Sequence, residues 1–216
     1  MTELARILEM LARMHDGDAW HGPSVMSALE GVNAAVASWR PPGHAHSIWE
    51  IALHIISWRR EVERRLGGKP PTVPEDGDWP DVITGDEAAW RHTRLALQQS
   101  HERLVSAVKT LKESELERIV GEERQAGLGT GVTLALMLHG VIQHDAYHAG
   151  QCALIRKMAG QWVAGACGPI LESSPPRRPK EVRAWARAPQ TRQTAVMKWL
   201  WNGALKLMSH SGQRSA

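Results

Sequence analysis

Apolar residues recur every three or four positions through most of the first 160 residues, which is the period of amphipathic helices. The first such stretch, residues 4–11, predicts a helix that ends near Met14, and a second helical segment follows over residues 25–39. A Pro-Pro-Gly sequence at 41–43 should end that second segment, because proline cannot continue a helix. The chain therefore begins as a series of helices with firm breaks between them.

Two sequences of the capping-box type mark the starts of longer helices. Ser47 with Glu50 opens a predicted helix over residues 48–66, and Thr84 with Glu87 opens another. In the second of these, apolar residues recur every seven positions, as expected of a long helix that packs against a partner. The residues of this repeat are Trp90, Leu97, Leu104 and Leu111.

The last clear helix is predicted from about Gly131 to Met158, with Gly160 as its stop signal. Between these helices the connections are short to moderate, and residues 1–160 show no alternation typical of strands. We therefore predict an all-α domain over residues 1–160, an up-and-down four-helix bundle.

Residues 161–216 have a different composition. They hold nine Lys or Arg residues and two Glu residues, a net charge of +7, whereas residues 1–160 hold 17 basic and 21 acidic residues, a net charge of −4. We predict a basic, poorly ordered extension in which only residues 195–207 have amphipathic spacing. Because the basic excess belongs to this extension, we do not expect the protein to bind nucleic acid.

Composition also limits the class of protein. No run approaches 18 apolar residues, so we expect no membrane span, and the amino terminus lacks the pattern of a signal peptide. The two cysteines, Cys152 and Cys167, cannot form a disulfide framework, which favours a reducing cytoplasm. With eleven histidines in the chain, imidazole is the expected ligand for any metal ion.

Three histidines are the candidate metal ligands. His144 and His148 are four residues apart in the last predicted helix, so both project along its apolar face. His54, near the middle of the predicted helix 48–66, could supply a third imidazole from a neighbouring element. Three neutral imidazoles with one open position form a catalytic zinc-type site. Spacing alone leaves a second interpretation open, in which these are hydrogen-bonded core histidines.

Residues near these histidines are candidates for supporting roles. Gln151 and Tyr147 could orient a metal-bound water or a substrate, and Asp145 could accept an imidazole N–H from a neighbouring helix. Glu50 and Glu61 are the nearest carboxylates on the helix 48–66 if a general base is needed. Each of these residues could instead be a solvated residue or an ion-pair partner.

Other polar residues have less specific signals. Cys152 could be a fourth ligand, although we favour a buried thiol that acts as a small apolar residue. A basic cluster at the end of the helix 48–66 could bind the charged ends of a thiol cofactor or simply complement the helix dipole; it comprises Arg59, Arg60, Arg64 and Arg65. His44 and His46, in a loop, are expected to be solvated, and His139 points away from His144 around the helix. The remaining histidines are expected to be structural or surface residues: His15, His21, His92, His101 and His210.

Three sequence segments are informative together: SIWEIALHIISW around His54, HGPS at residues 21–24, and HGVIQHDAYHAGQ around His144 and His148. The set resembles the DinB-like superfamily, which includes the YfiT-type proteins, and the resemblance covers about residues 5–160. It implies a four-helix bundle with those three histidines as ligands of a divalent metal, zinc or nickel. It also implies a small-molecule substrate, a homodimer and, in some relatives, a low-molecular-weight thiol. The extension 161–216 departs from the family pattern.

Our first hypothesis is thus a cytoplasmic metalloenzyme that activates water or a thiol for hydrolysis or thiol transfer. The alternative is a non-catalytic bundle used for metal binding or for a stress-related interaction. An open, exchangeable coordination position distinguishes the two, since only the enzyme needs one.

Overall fold

The computed structural model describes residues 1–43, 45–82, 85–125 and 127–160. Most of these residues are helical, in the order α1 (Glu3–His15), α2 (Val25–Ala28), α3 (Ala34–Ser38), α4 (Ile48–Leu66), α5 (Glu87–Lys109) and α6 (Leu134–Met158). A 3₁₀ turn (Glu113–Glu117) and two strands, β1 (Ile119–Val120) and β2 (Val132–Thr133), lie between α5 and α6.

The four long helices α1, α4, α5 and α6 form a bundle. Helices α1 and α4 each pack against both α5 and α6, so α1 and α4 lie at opposite corners of the bundle. The short helix α2 covers α6, and α3 covers α4 and α5. The interior is filled by apolar side chains that are at most 2% exposed, among them Ile7, Leu11, Ile51, Ile55, Leu97, Leu104, Leu134 and Leu138. The predicted all-α bundle is confirmed.

Helix α4 has the predicted limits and the predicted capping box. The Ser47 hydroxyl accepts a hydrogen bond from the Glu50 amide at 3.2 Å, and the Glu50 carboxylate accepts one from the Ser47 amide at 2.8 Å. Two amides that would otherwise lack a partner at the helix start are thereby satisfied. This rigid start fixes the face that α4 turns toward the interior.

The second predicted capping box is wrong. Asp86 is the N-cap of α5, and its carboxylate accepts a hydrogen bond from the Ala89 amide at 2.7 Å. The Glu87 carboxylate instead accepts a hydrogen bond from the Ala34 amide at 2.8 Å, which joins α5 to the start of α3. The heptad residues of α5 are buried as expected, but the helix ends before Leu111.

Two further boundaries differ from the prediction. The segment 25–39 is two helices rather than one, because Asn33 caps the start of α3 by accepting a hydrogen bond from Val36. Helix α6 begins at Leu134 rather than near Gly131, because the preceding residues form β2. Strands β1 and β2 pair antiparallel, and two residues per strand are too few to show alternation in the sequence.

Several predictions fall on residues outside the described ranges: the extension 161–216 with its segment 195–207, Cys167, His210, His44 and Thr84. Within the described ranges, no helix has the combination of length and hydropathy needed to cross a bilayer.

Candidate metal centre

Helices α4 and α6 bring the three predicted histidines together in the bundle. His54 lies near the middle of α4 and is 6% exposed; His148 in α6 is 2% exposed. His144 lies one helical turn before His148 and its side chain is 21% exposed. Because α4 packs directly on α6, the three imidazoles meet, as the spacing in the sequence led us to expect.

The three rings form a tight cluster. Nε2 of His54 lies 2.9 Å from Nε2 of His144, and one ring nitrogen from each histidine lies within 4.8 Å of the other two. The Nε2 atom of His148 is buried and has no hydrogen-bond partner among the described residues. The cluster therefore has the composition and the compactness of a site that could bind a divalent metal ion.

The outer nitrogens of the rings face oxygen atoms. Nδ1 of His54 lies 2.5 Å from the Asp78 carbonyl oxygen, and Nδ1 of His148 lies 2.6 Å from Oε1 of Gln151. Both oxygens are acceptors, so each Nδ1 carries the proton, and each Nε2 presents its lone pair to the cluster. Fixing the tautomer through the outer nitrogen is how proteins commonly prepare histidine ligands.

His144 has a conflict that no neutral tautomer removes. Its Nε2 faces the lone pair of His54 Nε2, while its Nδ1 lies 3.6 Å from the carboxylate oxygen Oδ1 of Asp145. A proton on either nitrogen of His144 leaves the other nitrogen's lone pair facing an acceptor. A positive charge among the Nε2 atoms, supplied by a proton or a metal ion, resolves this conflict. The donor set thus fits a cation.

Burial keeps two of these histidines neutral. Burial, reinforced by the neighbouring His144, lowers the pKa of His54 to about 4 and that of His148 to about 2. The neutral imidazole is the form that binds metal ions. At neutral pH, no proton has to leave these two ligand atoms before a metal binds.

A loop between α4 and α5 covers the cluster. We call residues 69–82 the strap. Within it, the ring of Trp79 is stacked 3.9 Å from the ring of His54 and, on its other side, 3.6 Å from the ring of His46. The Ser57 hydroxyl donates to the Gly77 carbonyl at 2.9 Å, which holds the strap on α4. The strap therefore supplies both an acceptor for the outer nitrogen of His54 and an aromatic wall.

Sequence reasoning missed Trp79 and Asp78 and was wrong about His46, which is half-buried rather than solvated. All three lie outside helices, where periodicity gives no information about position. Three hydrogen bonds tie this part of the strap to α4. Trp58 Nε1 donates to Asp78 Oδ1 at 2.7 Å, Ser57 donates to the Gly77 carbonyl, and His54 donates to the Asp78 carbonyl, as described above. A polar Asp-Gly-Asp-Trp sequence after several prolines was the one available signal.

Two predicted supporting residues do lie at the cluster. Gln151 contacts the outer nitrogen of His148, as described above, so it acts on the ring of a candidate ligand. Tyr147 is 47% exposed, and its ring meets that of His148 edge-on at 5.1 Å. Tyr147 thus lies where the cluster meets solvent.

Glu50 and Glu61, the candidate general bases, form hydrogen bonds and ion pairs with residues outside the histidine cluster. Burial opposes ionisation of Glu50, but hydrogen bonds from Ser47 and the charge of Arg40 lower its pKa, and its carboxylate closes the cap of α4. Glu61 likewise has a lowered pKa despite burial, because Arg64 and Arg65 bind its carboxylate. Both carboxylates therefore make structural contacts, which agrees with the ion-pair alternative given in the sequence analysis rather than with a general base.

The arginine cluster is not a single surface. Arg59 is 1% exposed and reaches Asp145 in the core, whereas Arg60 pairs with Asp76 of the strap. Arg64 contacts the Pro70 carbonyl, and Arg65 donates to the Thr72 carbonyl at 3.2 Å. Three of the four arginines therefore fasten the strap to α4. Of the four, Arg60 and Arg64 line one surface pocket, while Arg59 and Arg65 are buried, so the four do not form a single site.

Two other residues of α6, the candidate Cys152 and the excluded His139, do not belong to the cluster. Burial raises the pKa of the Cys152 thiol to about 12, and this residue is a free, buried thiol, in line with the favoured interpretation. His139 Nε2 lies 2.7 Å from the Glu3 carboxylate, on another side of α6. In the described part of the chain, only His54, His144 and His148 form a group of three or more side chains able to hold a metal ion.

Comparison with known proteins agrees with the geometry. A sequence model of the DinB superfamily matches residues 20–152, which is more than half of the chain and includes all three histidines of the cluster. No curated protein and no solved structure matches the chain at a significant level. The chain belongs to the DinB superfamily.

Proposed function

We propose that this chain is a metal-dependent enzyme in which His54, His144 and His148 bind one divalent ion, zinc or nickel, through their Nε2 atoms. The observation that carries the proposal is the pattern of the six ring nitrogens. Each Nδ1 faces an oxygen atom, the Nε2 atoms of His54 and His144 lie 2.9 Å apart, and Nε2 of His148 has no partner among the described residues. Imidazole suits both metals.

The chemistry follows from a coordination position that the protein leaves open. When bound, such an ion supplies Lewis acidity, which makes a water or a low-molecular-weight thiol in that position a nucleophile near neutral pH. The chain's own contribution is to orient the rings through Asp78 and Gln151 and to cover one side with Trp79. Tyr147 is our candidate for contact with an incoming small-molecule substrate, because it is exposed beside His148.

The surroundings favour an enzyme over the alternative of a non-catalytic metal-binding or stress-related bundle. A closed site would need a fourth protein ligand. Glu50 and Glu61 are held by other partners, Cys152 is a buried thiol, and the Asp78 carboxylate lies on the Nδ1 side of His54, 3.4 Å from that atom. These contacts support an open position.

An exchangeable position can be tested with cobalt. The apo-protein would be loaded with Co²⁺ and titrated with 2-mercaptoethanol, and the absorption spectrum recorded. We expect a sulfur-to-cobalt charge-transfer band in the wild type and no band in His148→Ala. A cobalt spectrum that does not respond to the thiol or to other small anions would instead favour the non-catalytic bundle.

We also propose that the protein acts in the cytoplasm as a homodimer. Support for a dimer is the outward face of α6, where three large apolar side chains are 41–59% exposed: Leu136, Leu154 and Met158. Light scattering should give twice the chain mass, falling to the chain mass in Leu154→Glu. Support for the cytoplasm is the free thiol of Cys152.

A further inference from the structure

An ion pair crosses the core of the bundle directly behind the metal centre. Arg59 of α4 and Asp145 of α6 are each about 1% exposed, and the Arg59 guanidinium donates through Nε and Nη2 to the same carboxylate oxygen, Oδ2 of Asp145, at 3.0 and 2.7 Å. The other Asp145 oxygen, Oδ1, has no hydrogen-bond partner among the described residues. The sequence interpretation had Asp145 serving a histidine on another helix, and the structure corrects this.

The unpartnered oxygen faces an unpartnered nitrogen. Oδ1 of Asp145 lies 3.6 Å from Nδ1 of His144, and that buried Nδ1 also lacks a partner within the described residues. This distance is slightly longer than a hydrogen bond. His144 is also the ring whose two nitrogens both face acceptors, so a cation bound at its Nε2 would leave the proton on Nδ1, directed at Asp145.

We propose that the Arg59–Asp145 ion pair is a positioning device for the metal centre: Arg59 holds Asp145 so that Oδ1 accepts the Nδ1 proton of His144 and fixes that ring as an Nε2 ligand. The inference rests on the proposed metal site and adds a role for two residues that do not touch the metal. It completes the set of acceptors, since the rings of His54 and His148 already donate to Asp78 and Gln151.

The energetics of buried ion pairs support a role other than stability. Removing two charges from water costs about as much as their attraction returns, and apolar replacements of a buried pair are often neutral or stabilising. Arg59 is further anchored by the Leu97 carbonyl and the Ser100 hydroxyl, both 3.3 Å from its Nη1. This many contacts fix the guanidinium, and through it the direction of the Asp145 carboxylate.

Two double variants separate positioning from packing. Arg59→Met with Asp145→Leu removes both charges and the acceptor for His144. Arg59→Met with Asp145→Asn removes both charges but retains a carbonyl oxygen in the same place. Neither variant leaves an unpaired buried charge, so both should fold. His101→Leu is the matched control, because it alters the same polar region of the core without touching the acceptor of His144.

The readout is the affinity of the apo-protein for Zn²⁺, measured by competition with a chromophoric chelator, with the Co²⁺ absorption spectrum as a second signal. We expect the Leu-containing variant to bind 10- to 100-fold more weakly and with an altered cobalt spectrum. The Asn-containing variant should bind with an affinity between those of the Leu-containing variant and the wild type, because it keeps an acceptor oxygen but lacks the arginine that fixes its direction. His101→Leu should stay within a few-fold of wild type. Equal affinity in the Leu-containing and Asn-containing variants would overturn the positioning role while leaving the metal site intact.

A measurement on the wild type covers the case in which a variant does not fold. In the zinc-loaded protein, ¹⁵N-resolved NMR should show a slowly exchanging proton on Nδ1 of His144. A proton on Nε2 of His144 would overturn the inference. Absence of zinc binding by the wild type would overturn the proposed metal site, and the inference with it.

Discussion

The bundle buries two groups of histidines that look alike in composition but differ in their neighbours. His54, His144 and His148 form the cluster that could bind a metal ion, which we call the metal cluster. His15 and His101 form a second pair, whose rings are stacked 4.0 Å apart. In the metal cluster the outer nitrogens face oxygens, the inner nitrogens of His54 and His144 face each other, and that of His148 has no partner among the described residues. In the His15–His101 pair, Nε2 of His15 lies 2.7 Å from Oε1 of Gln98, and its Nδ1 lies 3.5 Å from the Arg59 guanidinium.

From this difference we expect a metal ion to bind the first group and not the second, although both are buried and closely packed. The Arg59 guanidinium already places a positive charge beside the His15–His101 pair, so a second cation there would be repelled. Arg59 at the same time holds Asp145 toward the metal cluster, where a cation is attracted. One arginine therefore gives opposite electrostatic environments to two histidine groups in the same core.

The largest expected effect is a stabilisation of the fold by Zn²⁺ that requires the metal cluster and does not require the His15–His101 pair. At a free Zn²⁺ concentration one hundred times Kd, binding should add about 2.7 kcal/mol to the free energy of unfolding, a rise in Tm of about 5–10 °C. His148→Ala should abolish the rise, whereas His101→Leu should retain it. Thermal unfolding followed by circular dichroism, with and without Zn²⁺, measures both. A rise that survives in His148→Ala would contradict the assignment of this ligand.

The next largest effect is a pH dependence of the free energy of unfolding, which we expect from the His15–His101 pair. Burial, together with His15 and Arg59, lowers the pKa of His101 to about 3. The unfolded chain takes up this proton near pH 6.5, so stability present above that pH is lost as the pH falls toward 3. With chelator present, the wild type should lose about 1 kcal/mol more per pH unit than His101→Leu between pH 6 and 4. Parallel urea-denaturation curves for the two proteins would contradict this.

A smaller effect concerns the outer partner of His148. Gln151→Leu removes the acceptor for Nδ1, so the ring loses its fixed tautomer and orientation, and Zn²⁺ affinity should fall about tenfold. Gln143→Leu, an exposed position of the same helix, is the control and should bind Zn²⁺ like the wild type. Isothermal titration calorimetry measures both. Equal Zn²⁺ affinities for the two variants would show that Gln151 does not contribute to metal binding.

The smallest predicted effect is on the strap. Ser57→Ala leaves the Gly77 carbonyl without its donor, which should cost about 1 kcal/mol of stability and speed amide hydrogen exchange in residues 76–79. Ser106→Ala, an exposed serine of α5, should change neither. Exchange rates in the strap that are unchanged by Ser57→Ala would show that other contacts hold it.

Helix α4 and the common face of His144 and His148 could be predicted because their signals are local, whereas His54 was added from its mid-helix position in a bundle and from the family resemblance. The Ser47–Glu50 box fixes the start of the helix, and the spacing of His144 and His148 fixes their common face. Both depend on residues a few positions apart, where helical geometry is regular.

The strap and the ion pair could not be predicted, for two different reasons. Trp79 stacks on His54 only because tertiary contacts lay the loop on α4, and no periodic pattern encodes such contacts. The sequence placed Arg59 in a basic cluster at the end of α4. It assigned to Asp145 a histidine on another helix, or an unspecified ion pair, as its partner, because charged residues are usually exposed and their core partners are not encoded locally. Only the structure shows that each satisfies the other in the core.

The most direct test of the account is the metal content of the untagged protein after reconstitution with Zn²⁺ or Ni²⁺ and gel filtration. Elemental analysis would compare the wild type with His54→Ala/His144→Ala and with the matched pair His15→Leu/His101→Leu. We predict about one ion per chain in the wild type and in the matched pair, and almost none in His54→Ala/His144→Ala. A wild type without stoichiometric metal, or a full complement in His54→Ala/His144→Ala, would contradict the account.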